Sequence, residues 1–211
     1  MTRIHTTVFI LVALIAVVIG LTVSKALNRQ DQVNPAQLLD AGIVLLPQGR
    51  PMPDVRLIDQ NGAVQPVDQL QGAWTVLFFG YTFCPDICPT TLAELRQLKG
   101  MLPEEIRDNL RVVLVSVDPA RDTPQQLKEY LGFFDAEFRG LTGELADIQK
   151  LSNSVGIPFI PGDESKPNYT VDHSGNLALI GPDGRQRGFI RGPLNNAKLA
   201  AQLPTLLAGE G

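Results

Sequence analysis

The stretch Phe78-Phe79-Gly80-Tyr81-Thr82-Phe83-Cys84-Pro85-Asp86-Ile87-Cys88-Pro89 decides the fold of this chain. It holds both cysteines of the protein, set between an apolar run and an amphipathic one. The run Trp74–Phe79 has strand length and no polar break, as expected of a central strand covered on both faces. Beyond it, Leu92, Leu95 and Leu98 recur at helical spacing, and Gly100 and Pro103 close the segment. A strand therefore delivers two thiols to the mouth of a helix.

Working outward, Arg111–Val117 reads as a second buried strand, followed by Asp118-Pro119-Ala120-Arg121-Asp122-Thr123-Pro124. Thr123 is the expected N-cap of the next helix, with Pro124 at its first position and Gln126 completing a capping box. The stripe Leu145, Ile148, Leu151, Val155 predicts a third helix over 143–155, and 156–160 reads as a short strand-like piece. Strands at 177–180 and 186–191 flank the turn Gly181-Pro182-Asp183-Gly184, and 195–207 closes as a helix interrupted by Pro204. On the N-terminal side, Asn61-Gly62 marks a β-hairpin, 54–58 returning through 64–67, which opens the domain. This order predicts an α/β fold: a thioredoxin-like central mixed sheet flanked by helices, with an N-terminal β-hairpin. Arg185, Arg187 and Arg191 share a strand face with Phe189 and read as a solvated sheet edge.

The first residues stand apart. Thr6–Ser24 is uncharged and apolar over roughly 19 residues, about the length that crosses a bilayer as a helix. Residues 1–29 are read as an N-terminal membrane anchor, with a cleavable signal peptide as the alternative because Ser24 and Ala26 offer a small-residue site. Residues 30–50 read as a tether and 51–211 as the domain, on the exported side of the membrane. The 211-residue chain is long enough for one core, and its net charge of −4 argues against a nucleic-acid partner.

Two cysteines exclude a disulfide framework and leave a reactive or metal-binding pair. Pro89 suits the first helical position, which makes Cys88 the expected N-cap, its thiolate favoured by the positive end of the helix. The spacing is Cys-x-x-x-Cys, so the sulfurs are free to bridge as a disulfide or to grip one soft ion. Two thiolates are too few for a closed zinc site. His173 is the only histidine besides His5. Cys84, Cys88 and His173 thus form at most a three-ligand site, which suits copper better than a hard cation. Asp118 and Asp122 read as strand-end and cap residues.

Three motifs, in order, resemble the Sco (SenC) family of copper-binding assembly factors for cytochrome c oxidase. They are Cys84-Pro85-Asp86-Ile87-Cys88-Pro89 with its preceding Phe79-Gly80-Tyr81-Thr82-Phe83, Ser116-Val117-Asp118-Pro119 with Arg121-Asp122-Thr123-Pro124, and Val171-Asp172-His173-Ser174 followed by Leu179–Gly184. The resemblance covers about residues 50–210. It implies a membrane-tethered domain in which Cys84, Cys88 and His173 bind Cu(I) or Cu(II), and in which the cysteines form a redox disulfide when oxidised. His173 then stands where thioredoxins carry a cis-proline facing the thiols. The implied function is a copper chaperone rather than an enzyme. It takes copper from a donor protein and delivers it to the binuclear copper site of an oxidase subunit, at the periplasmic face of the inner membrane. The alternative is a thiol–disulfide oxidoreductase that reduces that subunit's copper-ligand cysteines.

Overall fold

A computed structural model describes residues 2–28 and 33–208. The chain divides into two units, Met1–Asn34 and Pro35–Gly211. The first is the helix α1 (Thr2–Asn28), whose described side chains are exposed, polar at His5 and Thr7 and apolar from Val8 on, with Phe9, Leu11 and Val12 among them. Among the described residues no helix is long and apolar enough to cross a membrane. Anchoring therefore rests on the sequence of Thr6–Ser24.

The second unit runs α2 (Pro35–Asp40), β1 (Ile43–Pro51), β2 (Arg56–Asp59), β3 (Val64–Pro66), β4 (Trp74–Gly80), α3 (Ile87–Met101), α4 (Glu104–Asp108), β5 (Leu110–Ser116), α5 (Pro124–Gly132), β6 (Arg139–Thr142), α6 (Leu145–Ser154), β7 (Leu177–Ile180), β8 (Arg185–Ile190) and α7 (Asn196–Ala208). Its strands form one open sheet in the order β1-β8-β7-β4-β5-β6-β2-β3. β4, β5 and β6 pair in parallel and the remaining neighbours antiparallel. Every residue of β4 is buried, and so is all of β5 except Arg111, because helices cover both faces of these central strands. This is the mixed, helix-flanked sheet expected from the sequence.

The hairpin β2–β3 forms around Asn61-Gly62, with Gly62 at φ +83°, a value that favours glycine. The Asp59 carboxylate locks the turn by accepting from the Asn61 and Ala63 amides. The hairpin does not open the fold, however. Of the tether expected over 30–50, residues 35–50 instead hold α2 and all of β1 but its last residue, and β1 pairs with β8. β1 has Pro and Gly in it and its burial is patchy, which is why it lacks a strand signature. Consequently β8 is an inner strand, and the solvated edge expected for its arginines is corrected: Arg185 donates to the Gly49 carbonyl and Arg187 pairs with Asp183. β6, four residues long, has no counterpart in the sequence reading. α7 continues through Pro204 rather than breaking there. The piece at 156–160 contributes a single bridge, Ile160 to Asp172.

The helix α3 shows the core logic. Leu92, Leu95 and Leu98 lie on one face and are buried. Thr123 caps α5 as expected, its hydroxyl accepting from the Gln126 amide, but the capping box is not completed, because the Thr123 amide donates to the Arg121 carbonyl.

Candidate metal centre

β4 ends at Gly80, and Tyr81–Asp86 turns the chain into α3. The expected N-cap at Cys88 is corrected: Asp86 is the N-cap, which puts Cys88 at the second helical position and Pro89 at the third. A proline is tolerated there because the first-turn amides have no intrahelical acceptor to lose. Cys84 thus lies in the turn and Cys88 in the first helical turn, one above the other. The Cys88 amide points at Cys84 Sγ, 3.5 Å away, and Cys88 Sγ accepts from the Tyr81 amide at 3.4 Å.

His173 arrives from the other side, on the loop between the Ile160–Asp172 bridge and β7. Its Nε2 lies 3.4 Å from Cys88 Sγ, and its ring meets the edge of Tyr81 at 5.5 Å between centroids. The ligand atoms of Cys84, Cys88 and His173 all lie within 4.8 Å of one another. Both cysteines are unlinked thiols, Cys88 fully enclosed and Cys84 8% exposed. The structure thus brings together the three residues singled out in the sequence.

The two thiols are electrostatically unequal. Hydrogen bonding from the Cys88 thiol, helped by the Asp86 and Cys88 backbone, pulls Cys84 down to about 4 against the penalty of burial. Burial pushes the Cys88 thiol up, reversing the expectation that the helix end would lower it. The sign for stability follows. The folded state favours the Cys84 thiolate, so this contribution is complete above the unfolded thiol's value near 9 and is lost as pH falls towards about 4. Cys88, neutral and buried, costs stability only as pH rises past that unfolded value. In metal-free protein, iodoacetamide labelling of Cys84 is expected to hold its rate from pH 8 to about 5 and to decline below about 4. Mass spectrometry of quenched samples checks this. A tenfold loss per unit starting near pH 8.5 would contradict it.

Gly80 shapes the site without being one of its ligands. A β carbon there would stand 2.6 Å from Cys88 Sγ and 3.0 Å from Phe78 Cε1. The glycine is what lets the second thiol sit directly on the end of β4. The legible signal was a glycine closing an otherwise bulky strand.

Two thiolates and one imidazole fit a soft or borderline ion. Copper satisfies both donor types, and three ligands leave the ion open to a further one. Fold and site together define a thioredoxin-like domain with a Cys–Cys–His group whose donor atoms could hold one metal ion. The sequence profile of the SCO1/SenC family matches residues 48–208, and the chain belongs to that family. A protein of Stutzerimonas stutzeri named for copper binding is 53% identical over 82% of this chain and 85% of its own length. Among solved structures, copper-bound ScoI of Arabidopsis thaliana is 31% identical with a TM-score of 0.66, covering 74% of this chain and 98% of that one. Copper-bound ScoI of Bradyrhizobium japonicum is 36% identical with a TM-score of 0.61, covering 74% of this chain and 97% of that one.

Proposed function

We propose that this protein is a membrane-tethered copper chaperone that delivers copper to the binuclear copper site of cytochrome c oxidase during its assembly. The observation that carries the reading is the convergence of Cys84, Cys88 and His173 within 4.8 Å from two separate segments. Copper is the cargo. An incoming thiolate from the recipient joins the open position before an old ligand leaves. His173 leaves first, since it sits half-buried on a loop outside regular structure, while Cys88 is enclosed at the helix start. The unequal thiols suit this order, Cys84 already being a thiolate at neutral pH. The donor that loads the site and the recipient subunit meet the domain on the exported side of the inner membrane. The supporting feature is α1, whose residues 11–21 are apolar and exposed all round, as a helix is when lipid surrounds it.

The test is a Cu(I) titration of the full chain in detergent against a competing chelator. One ion per chain is expected, held at least about tenfold more weakly in His173→Ala, a loss of about 1.4 kcal/mol. Oxidase in cells carrying His173→Ala should lack copper in its binuclear site. Copper affinity and oxidase copper both unchanged in that variant would overturn the reading.

One observation favours a second reading. An acidic, slightly exposed thiol over a buried neutral one is the arrangement of an attacking and a resolving cysteine. In that reading the Cys84 thiolate attacks a disulfide of the recipient and expels one of its thiolates. Cys88, giving its proton to the thiolate first expelled, then attacks Cys84 Sγ and displaces the second thiolate, so that the recipient gains two electrons and Cys84–Cys88 becomes the disulfide. A pair potential too low for cellular reductants to regenerate the dithiol would exclude steady turnover.

A further inference from the structure

Asp118 and Asp122 are 3% and 0% exposed, and they belong to the loop that joins β5 to α5. Neither is one of the three ligands. Each is nevertheless wired to a different ligand segment. The Asp122 carboxylate accepts from the Thr82 amide at 3.0 Å, from the Thr82 hydroxyl at 2.7 Å and from the Ser116 hydroxyl at 2.7 Å. Thr82 lies two residues before Cys84, so this carboxylate pins the thiol turn to the end of β5. Asp118 reaches the opposite way. It accepts from the Tyr169 hydroxyl at 2.6 Å and from Arg121 Nε. Arg121 also donates to the Tyr169 carbonyl at 3.0 Å, and its guanidinium stacks 3.8 Å from the Tyr169 ring and 4.8 Å from that of Phe83. Tyr169 lies four residues before His173.

Burying a carboxylate is costly unless its oxygens are fully bonded. Two such groups in one short loop are therefore held for their bonds. One holds the segment that carries the thiols and the other the segment that carries the imidazole, so the loop is a common base for all three ligand atoms.

We propose that the β5–α5 loop is the positioning element of the metal centre, with Asp122 setting the thiols through Thr82, and Asp118 with Arg121 setting His173 through Tyr169. The inference deepens the copper reading and rests on it. Neither carboxylate is among the three ligand groups: Asp122 bonds directly to the thiol turn and Asp118 to the segment before His173, with Arg121 also stacking on Phe83.

Asp118→Asn and Asp122→Asn, each alone and each combined with His173→Ala, test it by Cu(I) competition titration of the full chain and by the rate of Cys84 alkylation in metal-free protein. Asp118→Asn should weaken copper about tenfold. That loss should shrink when His173 is already alanine, and Cys84 alkylation should move less than in Asp122→Asn, since Asp118 reaches the thiol turn only through the stacking of Arg121 on Phe83. Asp122→Asn should weaken copper about tenfold in both backgrounds and shift the alkylation rate by about threefold or more. Thr82→Val, nearly isosteric, should reproduce Asp122→Asn, and Thr82→Ser should restore the parent behaviour. This pair also serves if Asp122→Asn does not fold. Equal losses for both carboxylates in both backgrounds, or a lowered melting temperature with copper binding and alkylation untouched, would overturn the proposal. Failure of the unaltered protein to bind copper would sink the copper reading with it, whereas tight copper binding indifferent to both variants would sink the positioning role alone.

Discussion

Replacing Cys88 by serine is expected to lower Cu(I) affinity about a thousandfold or more, roughly 4 kcal/mol, while leaving the domain folded. Cys88 stands at the centre of the donor set, 3.4 Å from His173 Nε2 and fully enclosed. A serine hydroxyl in its place is a hard, neutral donor, a poor match for Cu(I). It still takes the Tyr81 amide as a partner, so the buried N–H is not orphaned and the fold is largely spared. Competition titration beside far-ultraviolet circular dichroism reads both halves. Affinity within about tenfold of the parent would mean that the ion does not use this sulfur.

The second large effect is expected of Gly80→Ala, although residue 80 is not a ligand. The added methyl would stand 2.6 Å from Cys88 Sγ, 3.0 Å from Phe78 Cε1 and 3.1 Å from Leu114 Cδ1. Phe78 and Leu114 are closed in the core, and Cys88 Sγ is already engaged by the Tyr81 amide. Something must move, and the cost of such overpacking is about 1–3 kcal/mol. That is worth a fall in melting temperature of about 2–12 °C for a domain of this size. The sulfur must also leave its place beside His173, so copper affinity should drop about tenfold or more, tied to the loss of stability. A variant with parental melting temperature and copper affinity would show that the end of β4 yields freely.

How much of this was readable beforehand depended on the range of the interactions. The buried runs of β4 and β5, the Asn61-Gly62 turn and the Thr123-Pro124 cap are local patterns, and each stands where its residues indicated. The misreadings share a cause. Residues 35–50 look like a tether because Pro and Gly break every periodicity, and only pairing with β8, some 140 residues away, makes β1 a strand. β6 is four residues long and owes its existence to β5 and β2 on either side. At Cys88, the proline rule favoured an N-cap, but the turn closes two residues earlier at Asp86.

By itself the sequence determined the chemical type of the site: two thiols at a strand–helix junction, one histidine within the domain, and the motif order that names the family. Only the tertiary structure decided how those groups meet. It set His173 against Cys88 from 85 positions away, divided the thiols into an acidic and a buried one, and turned Asp118 and Asp122 from apparent caps into supports for opposite ligands. The reason is physical. Donor type and helical spacing are properties of neighbouring residues, whereas distance, burial and the sign of a pKa shift arise when segments remote in sequence exclude water from the same few ångströms.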